Sequence, residues 1–324
     1  MPHNLFQNKM GFVGQPPWHG LGRRVDSGVS ARDMLRAANL DWFVEKGPPP
    51  GVPSGHEQGR YMIWREPVGD ELDHVGLAFV GRAYEPVQNA QAFEFFDSFV
   101  EQNWVEFHTA GALGNGERVW VLARLKDKIS VGPDDEVDRF LLLSNSHDGS
   151  EPVTVRLTPI RVVCQNTLSL AFGRSKAVAA VRHTRRVHEK LASIAEEQLQ
   201  AMVDSSFHEA SEVFQAMAQY RIDESEFVGY LEAVLGRTEN QRSQRREPDR
   251  WRYVREILED RSLTPVATAG TLWALYNAVI AFEDYRAPRN ETEPTARLRR
   301  VWFEGGTDTK IRAFREARVL MDAA

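Results

Sequence analysis

Apolar positions in the first half of the chain alternate in short runs bounded by Gly, Pro, Asn and Asp, whereas those of the second half recur every three to four residues. Alternation marks strands with one face turned inward, and the longer period marks amphipathic helices. The most distinctive alternating stretch runs from Phe140 to Gly173, FLLLSNSHDGSEPVTVRLTPIRVVCQNTLSLAFG. It is predicted as a β-hairpin closed at His147-Asp148-Gly149, followed by a turn toward helix. A second hairpin is predicted at Gly114-Asn115-Gly116, joining Trp104–Leu113 to Glu117–Lys126. In the latter run Val119, Val121 and Ala123 alternate with Trp120 and Leu122, so both faces of that strand are expected to be covered.

Earlier in the chain, Asp41–Lys46, Tyr61–Glu66 and His74–Val87 read as strands, the first two separated by the Pro- and Gly-rich loop GPPPGVPSGHEQG. Ser30 is expected to cap a short helix with Asp33 three residues on, and Asn89 to cap another whose Phe93, Phe96 and Val100 share a face. Residues 1–24, with Pro16-Pro17-Trp18-His19-Gly20-Leu21-Gly22, read as a shaped loop; Trp18 either plugs an apolar hollow or, with His19, meets a ligand. Beyond Gly173 strand signals vanish. Arg174–Tyr220 reads as one or two long helices carrying Val181, His188, Leu191, Ile194, Leu199, Met202 and Phe207. Helices follow at Phe227–Leu235, Trp251–Leu258 and Thr271–Tyr285, then a tail in which Phe314 and Val319 dock. The expected fold class is α+β: a mostly antiparallel sheet packed with helices over residues 1–172, and an all-α domain over 173–324.

Composition adds limits rather than a function. The 324 residues are 42% apolar and 27% charged, as in ordinary globular proteins, and the formal charge of −6 argues against wholesale coating of nucleic acid. The single cysteine, Cys164, rules out an internal disulfide, and no apolar run approaches the roughly 18 residues of a membrane span. The opening MPHNLFQNKM lacks the basic-then-apolar pattern of a signal peptide. A cytoplasmic protein with no membrane partner is expected.

Four places hold candidate chemistry. The hairpin tip Ser146-His147-Asp148-Gly149-Ser150 puts a histidine beside a carboxylate and two hydroxyls, yet Asp-Gly and Ser are also what a tight turn requires. Cys164, at the end of a strand entering helix, would pair with His147 and Asp148 in a hydrolase-like Cys/His enzyme, or pack as a small buried hydrophobe. Arg161, Gln165 and Asn166 would grip a phosphate or a base edge at the same helix entrance. The basic cluster Arg174, Lys176, Arg182, Arg185, Arg186 and Lys190, against the single acid Glu189, would bind a phosphate backbone or form a solvated helix face. A second cluster, Arg237, Arg242, Arg245, Arg246, Arg250, Arg252 and Arg255, is diluted by acids. The nine scattered histidines form no metal set, and no Walker loop or GxGxxG turn is present. No metal and no cofactor is expected.

The segments PWHGLG, GRAYEPVQNAQAFEFFD, SNSHDGS, RVVCQNTL and ALYNAV followed by Asp284-Tyr285 occur in that order. With them the chain resembles the phage/plasmid-like family known as domain of unknown function nine-three-two, over nearly its whole length; the loop at 47–59 is a local elaboration. The resemblance implies a mobile-element origin and hands over no catalytic residues. Relatives are often found among phage replication and recombination genes, and the layout is similar in outline to single-strand annealing proteins, which form rings around a basic groove. The leading expectation is thus a homo-oligomeric accessory protein binding single-stranded nucleic acid through Arg161, Gln165, Asn166, Arg174, Lys176, Arg182, Arg185 and Arg186. The competing ones are the Cys/His enzyme and a factor that binds a host defence or replication protein.

Overall fold

The computed structural model describes residues 5–14, 21–133, 135–161, 166–167, 178–194, 196–236, 248–285 and 306–323. The PWHGLG run up to Gly20, with Trp18 and His19, and the second basic cluster from Arg237 to Arg246 lie outside them. The chain is α+β, with antiparallel pairing dominant in the first half and helices in the second.

The chain packs as two compact units: Met1–Lys126, Phe140–Leu157 and Ala177–Met202 form one, and Asp127–Arg139, Thr158–Lys176 and Val203–Ala324 the other. The large sheet follows the order β9 (Val153–Arg161), β8 (Asp135–Ser146), β7 (Arg118–Gly132), β6 (Val105–Leu113), β1 (Leu5–Val13), β2 (Arg23–Val25). The short β11 (Ala179–Val181) pairs with β9 through Val153–Val155. Both expected hairpins are present. β6 turns into β7 at Gly114-Asn115-Gly116, and β8 turns into β9 beyond Ser146. Val119 to Ala123 are all buried, so β7 is covered on both faces, as its unbroken apolar run implies.

Several elements depart from the sequence expectation. Residues 5–13, read as loop, form β1, which pairs antiparallel with β6 and parallel with β2. Its pattern is broken in the middle, where Gln7 takes φ 50° and the register shifts between Leu5 and Met10, so the polar Gln7-Asn8-Lys9 hides a strand whose two ends are buried. Residues 174–220 are not continuous helix. β11 is followed by α4 (Val187–Ala192) and α5 (Glu196–Gln219), Val181 is in a strand and Met202 is 51% exposed.

A separate three-stranded antiparallel sheet, β3 (Val44–Gly47), β4 (Arg60–Arg65) and β5 (Val75–Gly81), matches the strands expected there with shifted ends. The first helix, α1 (Ala31–Ala37), opens as its sequence dictates: Ser30 Oγ accepts the Asp33 amide at 3.2 Å. In α2 (Asn89–Glu94) the cap is Gln88, not Asn89. Gln91 Oε1 accepts the Gln88 amide at 2.8 Å, and the Gln88 side chain bonds both backbone groups of Val44. Asn89 is the first helical residue and turns its amide inward. With α3 (Asp97–Glu101), this segment buries Phe93, Phe96 and Phe99, and Phe93 and Phe96 both contact Phe107 of β6.

In the second unit α7 (Asp249–Glu259) and α9 (Gly306–Asp322) pack on α8 (Leu272–Tyr285), which is buried at every position from Leu272 to Phe282, and α6 (Glu224–Leu235) packs on α9. A helix apolar all round belongs at the centre of a bundle. Its Trp273 indole N–H donates to the buried Asp135 carboxylate at 2.9 Å, and Lys310 of α9 meets Asp284 at 2.5 Å, both side chains inaccessible. Phe314 is buried as expected, but Val319 is exposed.

Candidate functional site

The hairpin tip is held by its own side chains. Ser146 Oγ donates to Asp148 Oδ1 at 2.5 Å, Ser150 N–H donates to the same oxygen at 2.9 Å, and Glu151 N–H reaches Ser146 Oγ at 3.3 Å. Gly149 supplies the left-handed residue at φ 71°, and a Cβ there would lie 3.5 Å from the Tyr84 ring. Burial alone would raise the Asp148 carboxyl, but hydrogen bonds from Ser146 and Ser150 and the charge of Arg118 outweigh it and hold it below the usual carboxylate range. Arg118 stands 3.5 Å from Ser150 Oγ and 3.4 Å from Glu151, with Arg156 also beside Glu151 at 4.0 Å. Sequence reasoning named neither arginine.

His147 is fully buried and points away from this network. Its Nε2 lies 2.9 Å from Asn89 Oδ1. Because Asn89 Nδ2 donates to the Leu40 and Trp42 carbonyls, at 2.9 and 3.3 Å, Asn89 Oδ1 is left to accept and His147 carries its proton on Nε2. The imidazole packs against the Trp42 ring at 5.5 Å, and its Nδ1 meets no hydrogen-bond partner among the described residues. Burial pushes its pKa down to about 3, with the neighbouring His183 adding to the shift and Asp148 opposing it. The ring is neutral at ordinary pH, and no hydrogen bond joins it to Asp148 or to either serine among the described residues. The histidine and the carboxylate adjacent in sequence thus serve different partners. Cys164 lies outside the described residues.

The tip is tied to a second seam. Tyr84 donates its hydroxyl to the Ser146 carbonyl at 2.8 Å and stacks on His183 with ring centroids 4.8 Å apart. Burial, then the charge of Asp148, pushes the Tyr84 hydroxyl well up; burial pushes His183 down, so the stack is uncharged. Glu85 N–H bonds the His183 carbonyl at 3.2 Å, and His183 Nδ1 lies 3.2 Å from the Glu85 carbonyl. Two segments about 100 residues apart therefore run side by side.

Their outward-facing neighbours form an open pocket of about 410 Å³ lined by Arg82, Ala83, Thr184, Arg185 and Arg186. Arg185 and Arg186, both expected in the basic cluster, meet here with Arg82, and Arg182 is exposed just before them. They sit in the segment between β11 and α4, not on a continuous helix face. Arg186 makes an exposed two-pronged pair with Glu189 at 2.9 Å, whereas Arg82 and Arg185 have no side-chain ion-pair partner among the described residues. Arg82 was missed because it lies far from the cluster in sequence, although it stands in the quoted GRAYEP run.

The remaining expected residues divide. Arg161 and Asn166 are paired across β9 and β10 (Asn166–Thr167), in the second unit, with their side chains outside the described residues. Gln165, Arg174 and Lys176 lie outside the described residues. In the second cluster, Arg250 donates to the Gly236 carbonyl, Arg252 faces Asp249 and Glu256, and Arg255 pairs with Glu224 over the Phe227 ring. Among the described residues no group of His, Cys, Asp and Glu is arranged to hold a metal, and no helix is long and apolar enough to cross a membrane.

The profile of the family described as Domain of unknown function (DUF932) matches residues 76–302, more than half of the chain. No curated protein matches the sequence, and no solved structure matches it.

Proposed function

The chain belongs to the DUF932 family, and from that premise we propose that it is a nucleic-acid-binding accessory protein of a mobile genetic element, taking single strands without sequence preference. The observation that carries this reading is the pocket in which Arg82 and Arg185, both without acidic partners among the described residues, stand beside Thr184 and Arg186. Phosphate contacts of this kind dominate affinity for nucleic acid and carry no sequence information. The neutral Tyr84–His183 stack and the self-satisfied hairpin tip behind it act as scaffold, holding the two arginine-bearing segments in register. Self-association into a ring and strand annealing would extend the same chemistry.

The test is a fluorescence-anisotropy titration of a labelled single-stranded oligonucleotide at rising salt, with the native protein and with Arg82→Glu/Arg182→Glu/Arg185→Glu. Three lost phosphate contacts would lower the salt slope by about 2 and abolish binding at physiological salt. Unchanged affinity in the folded triple variant removes this surface from the account.

A further inference from the structure

We infer that the free edge of β5 is a self-association surface, on which a second copy of this chain lays its own β5 antiparallel about a twofold axis. This role is independent of nucleic acid.

The three-stranded sheet ends on β3 at one side and on β5 at the other. The β3 edge is closed, because the Gln88 carboxamide bonds both backbone groups of Val44, at 3.0 and 2.8 Å. The β5 edge is open: among the described residues no hydrogen bond from outside the sheet reaches the backbone of residues 75–80. Nor does its sequence discourage pairing. Val75–Gly81 reads VGLAFVG, without a charge or a proline, the residues that ordinarily blunt an exposed edge. Phe79 is 54% exposed, Leu72 just before the strand is 93% exposed, and a Cβ at Gly81 would meet nothing within 4 Å. The register shift opposite Ile63 and Trp64 raises the local twist, with pairing resumed on both sides of it. A copy related by a twofold axis twists identically, so the two edges stay matched.

Charge selects the occupant and its direction. Asp73 precedes the strand and Arg82 follows it; both are exposed, and neither has an ion-pair partner among the described residues. In an antiparallel pair each Asp73 lies beside the Arg82 of the second copy, whereas a parallel pair would set like charge against like. The pairing also brings cross-strand neighbours against Phe79 in both copies. An edge of seven residues buries less than a standard interface, so the association is reversible and weak. With β3 closed, the sheet has one open edge per copy, and the twofold pair ends at two copies.

The test is sedimentation velocity of the full chain, free of nucleic acid, at low salt and over a wide range of protein concentration. The expected result is a monomer that converts reversibly to a dimer as concentration rises. Phe79→Lys, checked by circular dichroism and urea unfolding, should stay monomeric throughout. Asp73→Arg and Arg82→Asp should each raise the dissociation constant about tenfold, and the double variant should restore it. If Phe79→Lys fails to fold, the charge-reversal set decides alone. A monomer at every concentration overturns the proposal, and so does assembly beyond two copies. A dimer indifferent to these substitutions places the contact elsewhere and overturns it as well. Single reversals that weaken the dimer without rescue in the double variant overturn the antiparallel arrangement.

Discussion

His147 Nε2 and Asn89 Oδ1 are 2.9 Å apart across 58 residues of sequence, and through this bond the end of β8 is fastened to the start of α2. Asn89 bonds two carbonyls besides, so its carboxamide satisfies three buried groups at once. Asn89→Leu keeps the volume and strands all three. It should cost about 1–3 kcal/mol, read as a lower urea midpoint with an unchanged m-value; a stability loss below a few tenths would show that the network relaxes around the change.

The same histidine makes stability depend on pH. Its pKa is about 3 when folded and near 6.5 when unfolded, so between these values the unfolded chain binds more protons. Stability contributed by the neutral ring is fully present above about pH 6.5 and falls as pH drops toward 3, by up to ~1.4 kcal/mol per unit. His108, which burial pushes down to about 4, acts in the same direction. Urea unfolding at pH 6.5, 5.5 and 4.5 should show the midpoint falling steadily, and His147→Gln should lower stability at pH 7 while flattening that slope.

Gly116 tests the neighbouring packing. It sits at φ 105°, and a Cβ there would stand 3.0 Å from the Trp42 ring and 3.1 Å from the Arg65 side chain. The Arg65 guanidinium is buried between the Phe6 and Trp42 rings and grips Glu71 with two bonds of 2.8 and 2.9 Å, so nothing nearby is loose enough to yield. Gly116→Ala should destabilise by about 1–3 kcal/mol, whereas Gly55→Ala, in an open loop where a Cβ meets nothing within 4 Å, should lose less. Equal losses would mean that conformation alone, and not Trp42, sets the cost.

Removing the carboxylate that accepts the Trp273 indole proton probes the helical unit by itself. Asp135→Ala should cost about 1–3 kcal/mol and shift the tryptophan emission, since both side chains are fully buried. An unshifted emission maximum would place the reporting indoles elsewhere.

Much of the fold was legible where local chemistry decides it. Ser30 caps because its hydroxyl reaches the Asp33 amide, and the Gly114-Asn115-Gly116 turn closes a hairpin because its glycines take positive φ. β1 was not legible: its register breaks at Gln7, and its partner β6 lies about 100 residues away, so no local pattern betrays the pairing. Asn89 was misassigned for a related reason. Asparagine suits a cap, but here distant carbonyls and His147 claim its side chain while Gln88 and Gln91 handle the helix start. The arginine pocket was half visible, since Arg185 and Arg186 are neighbours in sequence but Arg82 is brought to them by the tertiary contacts of Tyr84 and Glu85 with His183.

The place of β1 in the sheet has a consequence during synthesis. Its strand neighbour on one side, β2, follows about ten residues later, but Leu5 must wait for Leu113 before the other edge is covered. At ribosomal speed that interval is roughly 5–20 s, during which an exposed strand edge is free to pair wrongly. The charged and polar Gln7-Asn8-Lys9 at the centre of β1 is then a safeguard, making the waiting segment a poor template for aggregation until its partner emerges.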